Sequence, residues 1–273
     1  MAIHSLSVVH PNAQVAPDVE IGPFAVIEED VVIGSGSWIG PNAVIFSGAR
    51  IGSGVKIFPG AVISGIPQDL KFKGEKTTAE IGDNTTIREF VTVNRGTAAA
   101  GTTKIGSDCL LMAYAHVAHD CILGDRVIIA NNVNLAGHVL VEDFAIIEGQ
   151  VGVQQFTRIG RHAFVAGGSL VRKSVPPYIR AAREPLSYIG VNRVGLERRG
   201  FDPKTINNIH DIYRILFVKG LNLSNAIVEI REKVAPCEEK DEVLAFIKET
   251  EHTGILRSFQ QLNGSNGNRV NHD

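Results

Sequence analysis

The sequence predicts a mainly β protein, a parallel β-helix followed by a small α-helical region. Aliphatic residues recur every six positions as far as about residue 176. The 273 residues include 28 glycines but only 12 Phe, 4 Tyr and 1 Trp, few large rings for a globular core of this size. Past Pro176 and Pro177, the apolar spacing becomes that of helices.

The six-residue register is the main support for the β-helix. It runs from Val9 to Ile63, resumes from Ile81 to Val93 and again from Ile105 to Val171, and each position in it is Val, Ile or Leu. This period matches neither an amphipathic helix nor an alternating strand, but it matches a short strand plus a turn. Three such units would close a triangular coil, and roughly eight coils would stack through parallel strand pairing. So narrow an interior has no room for large rings.

Two segments interrupt the register, at about residues 64–80 and 94–104. Both preserve its phase, so they are predicted to leave the coils at corners, as loops. Because loops on a rigid scaffold often carry function, we expect both to contribute to a site.

The C-terminal part is predicted to be helical. Asp202 followed by Pro203 is typical of a helix start, and the helix should run to Gly220. Further helices are expected at about residues 224–234 and 241–251. We therefore expect a β-helix over residues 1–190, an α-helical domain over 191–261 and a disordered tail over 262–273.

Composition and charge exclude several classes of protein. The formal net charge of −2 gives nucleic-acid binding no electrostatic support, and no apolar run approaches the roughly 20 residues that span a bilayer. The N-terminal residues lack the basic and apolar segments of a signal peptide, so export is not expected. Cys109, Cys121 and Cys237 are too scattered for a disulfide framework or a zinc cluster. We expect a cytoplasmic protein with reduced thiols and no cofactor.

Polar side chains break the repeat in the late coils. Residues one coil apart, 18 positions in sequence, are expected to lie directly above one another. Gly137 would then lie above His119, and Gln155 above Gly137. His138 would lie above Asp120. These five residues would form one polar wall.

Three interpretations of this wall are open. His119 could be a general base that takes a proton from a hydroxyl as it attacks a carbonyl, with the Gly137 N–H available to the oxyanion. Alternatively, His116, His119 and His138 could bind zinc, although residues 116 and 119 fall on different phases of the repeat. The histidines could also be ordinary polar corner residues. The acid and the registered glycine beside His119 favour the first interpretation.

Several segments, in order along the chain, are similar to a known family. They are the hexapeptide run, His116-Val117-Ala118-His119-Asp120-Cys121, Leu135-Ala136-Gly137-His138-Val139, and Gly190-Val191-Asn192 with Arg198-Arg199-Gly200-Phe201. Together they resemble the UDP-N-acetylglucosamine O-acyltransferases of lipid A biosynthesis over nearly the whole chain. The resemblance implies a left-handed β-helix. It also implies an acyltransferase that moves a 3-hydroxyacyl chain from acyl carrier protein to the 3-hydroxyl of UDP-N-acetylglucosamine.

The resemblance also implies roles for individual residues. His119 would be the base, Asp120 would orient and polarise it, and Gly137 would supply the oxyanion N–H. The remaining matched positions would bind substrate. Asp69 and Lys71 would contact the sugar or pantetheine, and His116, His138 and Gln155 would line the sugar and diphosphate site. Asn192, Arg198 and Arg199 would bind the nucleotide, and Gly167 would lie in the acyl groove. A small residue at position 167 implies a deep groove and a donor of about C14 or longer.

Some matched positions depart from the family pattern. Asn94 and Gln154 stand where histidine is common, and Val194 stands where glutamate is frequent. The choice between a 3-hydroxyl and a 3-amino acceptor therefore stays open.

A site on the flat face of a prism needs a second surface to enclose it, so we expect a homotrimer with His119 facing a neighbouring chain. The acidic carrier protein is expected to dock on basic residues near the C-terminal coils, namely Arg158, Arg161, Arg172 and Lys173. The competing functions are a γ-class carbonic anhydrase-like zinc enzyme, a non-catalytic solenoid, and a related sugar N-acyltransferase, for whose extra N-terminal domain the repeat leaves no room.

Overall fold

The computed structural model describes residues 2–259, so the tail expected at 262–273 lies outside the described residues. The chain forms the predicted left-handed parallel β-helix, a triangular prism with three parallel sheets as its faces. The six-residue register is confirmed, and it begins one unit earlier than expected, at Ile3.

The three faces are named A, B and C here. Face A contains β1 (Ala2–Ile3), β4 (Glu20–Ile21), β7 (Trp38–Ile39), β10 (Lys56–Ile57), β13 (Thr86–Ile87), β16 (Leu110–Leu111), β19 (Ile128–Ile129), β22 (Ile146–Ile147) and β25 (Phe164–Val165). Face B contains β2 (Val8–Val9), β5 (Val26–Ile27), β8 (Val44–Ile45), β11 (Val62–Gly65), β14 (Thr92–Asn94), β17 (His116–Val117), β20 (Asn134–Leu135), β23 (Gly152–Val153) and β26 (Leu170–Val171). Face C contains β3 (Gln14–Val15), β6 (Val32–Ile33), β9 (Ala49–Ile51), β12 (Thr78–Ile81), β15 (Thr102–Ile105), β18 (Ile122–Leu123), β21 (Leu140–Val141) and β24 (Arg158–Ile159).

Each coil points one aliphatic residue inward from every face. Leu111, Val117 and Leu123 are the inward residues of one coil, and all three are buried. A small glycine follows many inward residues because successive coils approach closely there. At Gly82, for example, a Cβ atom would lie 2.5 Å from the Gly106 carbonyl carbon in the next coil. Backbone cannot yield at such a distance, so this position requires glycine.

Both interruptions are loops, as predicted, but they are shorter than the broken register suggested. They span residues 66–77 and 95–101, because the flanking strands are extended. Residues Thr78–Ile81 and Thr102–Ile105 pair with each other in register on face C. Both loops leave the prism at the corner that joins face B to face C, in successive coils.

The end of the β-helix carries a hairpin that the sequence analysis missed. β27 (Ile179–Ala182) continues face A in parallel with β25 and then pairs antiparallel with β28 (Ser187–Val191). β29 (Arg257–Ser258) adds to β28. Because the hairpin follows the last hexad, the six-residue period contains no signal for it.

The C-terminal helices are α1 (Arg193–Arg198), α2 (Pro203–Tyr213), α3 (Leu223–Lys233) and α4 (Glu238–Glu249), with a π-helical turn at Arg214–Val218 directly after α2. The Asp202 carboxylate accepts the N–H groups of Lys204 and Thr205, so the predicted helix start is confirmed. The Tyr213 hydroxyl donates to the Pro177 carbonyl at 2.6 Å and ties α2 to the end of the β-helix. No helix within residues 2–259 is long and apolar enough to cross a membrane.

The inward and outward positions of one strand should differ sharply in their contribution to stability. Replacing Leu123, which is 1% exposed, with Ala should lower the free energy of unfolding by about 2–5 kcal/mol, since the rigid prism cannot fill the space. Ile122 precedes it, points outward and is 45% exposed, so Ile122→Ala should cost less than about 1 kcal/mol. Urea unfolding followed by circular dichroism compares the two, and equal losses would contradict the assignment.

Candidate active site

The polar wall lies at the corner that joins face B to face C, called the B–C corner below. Asp120, His138 and Phe156 occupy equivalent positions in successive coils, with φ angles of 60°, 60° and 67°. Aspartate and histidine tolerate this left-handed backbone better than most residues do. The predicted stacking is present, because His138 N–H donates to the His119 carbonyl at 3.1 Å.

His119 and Asp120 form a buried hydrogen-bonded pair. His119 Nδ1 lies 2.8 Å from Asp120 Oδ2, and the two side chains are 11% and 0% exposed. Because an ionised carboxylate only accepts, Nδ1 must carry the hydrogen, which leaves Nε2 with its lone pair free. His138 Nε2 lies 3.4 Å from the same carboxylate oxygen, and its ring is edge-on to that of His119.

Gly137 lies directly against the His119 ring. A Cβ atom at this position would lie 2.5 Å from His119 Cε1 and 2.7 Å from Nε2, so only glycine lets the imidazole rest on the backbone of the next coil. Within the described residues the Gly137 N–H has no hydrogen-bond acceptor. An unoccupied backbone donor beside a free imidazole nitrogen is the arrangement that an oxyanion needs.

Thr97, in the second loop, is the site residue that the sequence analysis missed. Its backbone N–H donates to Asp120 Oδ1 at 2.8 Å, and its hydroxyl donates to Oδ2 at 2.6 Å. Burial alone would raise the pKa of the Asp120 carboxyl, but the hydrogen bonds from Thr97 and His119 outweigh it and hold that pKa below its usual value. The carboxylate is therefore ionised while buried.

His116 lies at the head of a shallow trough on face B. Its Nδ1 is 2.7 Å from the Thr92 hydroxyl oxygen, and burial, with the charge of nearby His119, lowers its pKa. The trough has a volume of about 420 Å³, and its lining includes Asn134, Gly152 and Leu170. Gly152 keeps the middle of the trough open. Exposed Gln155 stays at the B–C corner beside it.

Gly167 lies on a different corner, the one between faces A and B. Its N–H donates to Glu148 Oε2 at 3.1 Å, and a Cβ atom there would lie 3.2 Å from the Gly149 carbonyl oxygen. Gly167 therefore adjoins face B without lining the trough.

Asp69 and Lys71 lie on the first loop, where Asp69 Oδ1 accepts the Lys71 N–H at 3.0 Å. No hydrogen bond within residues 2–259 joins either side chain to His119. The first loop is tied to the end of β14, directly before the second loop, since Asn94 Nδ2 donates to the Ile66 carbonyl at 3.2 Å. Asn94 Oδ1 is buried without a partner in this part of the chain.

The predicted nucleotide-binding residues lie at the corner that joins face C to face A, called the C–A corner below. Asn192 is buried, and its Nδ2 donates to the His162 carbonyl at 3.0 Å. The Arg199 guanidinium lies 5.2 Å from the Phe144 ring centre and donates to the Phe144 carbonyl at 3.3 Å. Arg198 is exposed on α1. One chain therefore does not bring these residues to His119.

Further arginines surround the Phe144 ring, and the sequence analysis did not link them to this group. Arg126 and Arg161 lie 5.3 Å and 6.0 Å from its centre, in addition to Arg199. Burial first, and then the charges of Arg161 and Arg199, lower the pKa of His162 to about 3, so His162 adds no charge. The C–A corner thus brings three guanidinium groups together, of which Arg126 also lies 3.7 Å from Asp108, and the excess of positive charge suits an anion.

The metal interpretation fits the structure poorly. The nitrogen and oxygen atoms of His119, Asp120 and His138 lie within 4.8 Å of one another, but His116, expected in a zinc set, is not in this group. Both oxygens of Asp120 already accept hydrogen bonds from Thr97, and Oδ2 also accepts one from His119. A metal ion would have to displace these bonds.

Two of the four basic residues expected to bind a carrier protein are already engaged. Arg158 pairs with Glu142 and Glu249, and Lys173 Nζ donates to the Thr253 carbonyl at 2.7 Å. Arg172 lines one end of the trough, and its one ion pair within residues 2–259 is a 3.4 Å contact with Glu184. Arg172 is thus the more available of these cations.

Family profiles match both parts of the chain. The profile described as bacterial transferase hexapeptide (six repeats) matches residues 30–65 and 102–137. The profile described as UDP N-acetylglucosamine O-acyltransferase, domain 2, matches residues 175–256.

Relatives and solved structures agree with these profiles. Proteins named acyl-[acyl-carrier-protein]–UDP-N-acetylglucosamine O-acyltransferase are 45% identical in Xylella fastidiosa and 48% identical in Xanthomonas oryzae, each over 93% of this chain and 97% of the relative. The crystal structure of a UDP-N-acetylglucosamine acyltransferase from Bacteroides fragilis is 49% identical, with a TM-score of 0.92, over 93% of this chain and 100% of that one. With this identity over nearly full length, the chain belongs to the UDP-N-acetylglucosamine O-acyltransferase family.

Proposed function

We propose that the protein transfers a 3-hydroxyacyl chain from acyl carrier protein to the 3-hydroxyl of UDP-N-acetylglucosamine, the first step of lipid A biosynthesis, in the cytoplasm. The observation that carries the proposal is the buried His119–Asp120 pair, whose ring lies against Gly137, a residue whose N–H has no acceptor within residues 2–259. The names of the relatives supply the two substrates. They do not favour a zinc hydratase or a sugar N-acyltransferase.

The residues suit a single displacement at a thioester. His119 Nε2 takes the proton from the sugar 3-hydroxyl as that oxygen attacks the acyl carbonyl. The carbonyl oxygen becomes an oxyanion and receives a hydrogen bond from the Gly137 N–H. Collapse of the intermediate breaks the carbon–sulfur bond, and the leaving thiolate of the carrier takes the proton back from the His119 imidazolium. Asp120 stabilises that imidazolium without taking its proton.

The outer faces support a homotrimer. Face C carries charged side chains, namely Arg50, Glu80, Lys104 and Arg158. Face A presents an apolar column at the height of the trough, namely Leu110, Ile128, Ile146 and Phe164. In a cyclic trimer, face A of one chain would cover the trough on face B of the next. The C–A corner of the first chain would then lie beside the B–C corner of the second.

In this trimer, each of the remaining predicted residues would have a ligand to contact. Arg198, Arg199 and Asn192 of one chain would bind the nucleotide whose sugar reaches His119 of its neighbour. Asp69 and Lys71 on the first loop would contact the sugar or pantetheine, and His116, His138 and Gln155 would line the sugar and diphosphate region. The trough would guide the donor arm, and Arg172 at its end would face the acidic carrier protein.

Loss of the proposed base should remove nearly all turnover. With 3-hydroxyacyl carrier protein and UDP-N-acetylglucosamine as substrates, His119→Ala should lower kcat by about 10²–10⁴-fold, the usual contribution of a general base. His10→Ala, at an exposed site near the N-terminus, is the control and should keep wild-type kcat. Near-equal rates for His119→Ala and wild type would refute the assignment.

Subunit mixing should test whether the site lies between chains. His119→Ala and Arg199→Ala should each be nearly inactive alone, but co-expressed chains should recover up to about a quarter of wild-type activity, because about one interface in four joins two intact halves. Light scattering should give three times the chain mass of 29.4 kDa. A monomer, or no recovery in mixtures that are confirmed by mass spectrometry, would contradict the shared site.

Donor length should depend on Gly167. Wild type should prefer donors of about C14 or longer, and Gly167→Met should shift the preference toward shorter chains, because the larger side chain would occupy the corner between faces A and B where the end of the acyl chain is proposed to lie. The measurement is kcat/KM over a series of 3-hydroxyacyl carriers, with thermal melting as a check that the variant folds. A sharp wild-type preference for C10 donors would contradict the prediction.

A further inference from the structure

We infer that Thr97 is a positioning residue for the proposed base, acting through the Asp120 carboxylate from the loop at residues 95–101. The expected change in kcat rests on the proposed function, whereas the claim that Thr97 positions the Asp120–His119 pair does not. Thr97 supplies two of the hydrogen bonds that hold a carboxylate with no exposed surface.

The direction of the Thr97 hydroxyl is fixed by its own loop. Thr97 Oγ1 accepts the Ala99 N–H at 3.2 Å, so its hydrogen is free to point at Asp120 Oδ2, 2.6 Å away. The loop itself closes tightly, because a Cβ atom on Gly96 would lie 2.4 Å from the Thr102 nitrogen. Gly96 N–H donates to the Thr78 carbonyl, which fixes the residue before Thr97.

Thr97 and His119 share one carboxylate oxygen. Oδ2 accepts from the Thr97 hydroxyl and from His119 Nδ1–H, and Oδ1 accepts the Thr97 backbone N–H. The hydroxyl therefore holds the carboxylate in the rotamer that keeps the imidazole in place. Its hydrogen bond also offsets part of the negative charge that acts on the His119 ring.

Because the Thr97 hydroxyl and His119 share Asp120 Oδ2, removing the hydroxyl should change the pH at which His119 loses its proton. A carboxylate that loses one donor attracts the remaining imidazolium more strongly, so protonated His119 should persist to higher pH. The other titratable groups facing the pair are His138 across Asp120, His116 on β17 and the Cys121 thiol. Burial raises the pKa of Cys121 to about 12, so it stays neutral. Of these groups only His138 also faces Asp120 Oδ2, at 3.4 Å, so its signal is followed separately from that of His119.

The test compares Thr97→Val, which keeps the branched shape but lacks the hydroxyl, with Thr97→Ser, which keeps the hydroxyl. Both keep the backbone N–H on Oδ1, so the loop stays anchored. Thr97→Val should lower kcat roughly tenfold and move the acidic midpoint of the kcat/KM profile up by about half a pH unit or more. Thr97→Ser should stay within about threefold of wild type and keep its midpoint. A Thr97→Val profile identical to wild type, or equal losses in both variants with an unmoved midpoint, would overturn the inference.

A second measurement needs no substrate. In protein labelled with ¹³C at histidine Cε1, and with His119→Ala to assign the signal, the His119 titration midpoint should move up in Thr97→Val and not in Thr97→Ser. If Thr97→Val does not fold, Thr97→Ala takes its place, because it also lacks the hydroxyl and has a smaller side chain. An unmoved midpoint refutes the inference even where acyl transfer is confirmed. A shifted midpoint supports it even where transfer is not found.

Discussion

The stacking of identical coils in register is the constraint on which the rest of the molecule depends. Outside the coils that carry the loops, parallel pairing places each residue directly above the one 18 positions earlier, as His116 pairs with Asn134. The aliphatic interior makes this repeat stable because every coil presents the same narrow cross-section to the next. Side chains at a corner therefore become near neighbours at a spacing of about one strand, 4.7–4.9 Å. His119 and Gly137 meet for this reason alone.

At the B–C corner this geometry allows a buried charge that would otherwise be costly. An ionised carboxylate without exposed surface needs several hydrogen-bond donors. The stack supplies His119 and His138, and the loop inserted at the same corner one coil earlier supplies Thr97. The insertion thus contributes directly to the hydrogen bonding of the proposed site. It completes the hydrogen bonding of Asp120 without disturbing the register of the coils above it.

The parts of the structure that repeat were predictable from the sequence, and the parts that do not repeat were not. The hexad register predicted the coils, the stacking of His138 on Asp120 and the positions of both loops. Thr97 could not be found this way, because a loop conformation depends on bonds such as that from Ala99 N–H to Thr97 Oγ1, which no period encodes. Arg126 and Arg161 lie in the coils next to Phe144, but Arg199 follows α1 beyond the repeat, so only the folded chain brings it to the same ring.

The separation of the two halves of the proposed site is informative because the prism is rigid. His119 lies at the B–C corner, whereas Arg199 and Phe144 lie at the C–A corner, and face C stands between them on the same chain. No rotamer or loop movement carries one corner to the other, since each coil is tied to its neighbours by backbone hydrogen bonds on all three faces. A single nucleotide sugar can contact both corners only when they belong to different chains. On the proposed function, the rigid repeat would therefore leave the proposed base and the proposed nucleotide-binding arginines dependent on assembly.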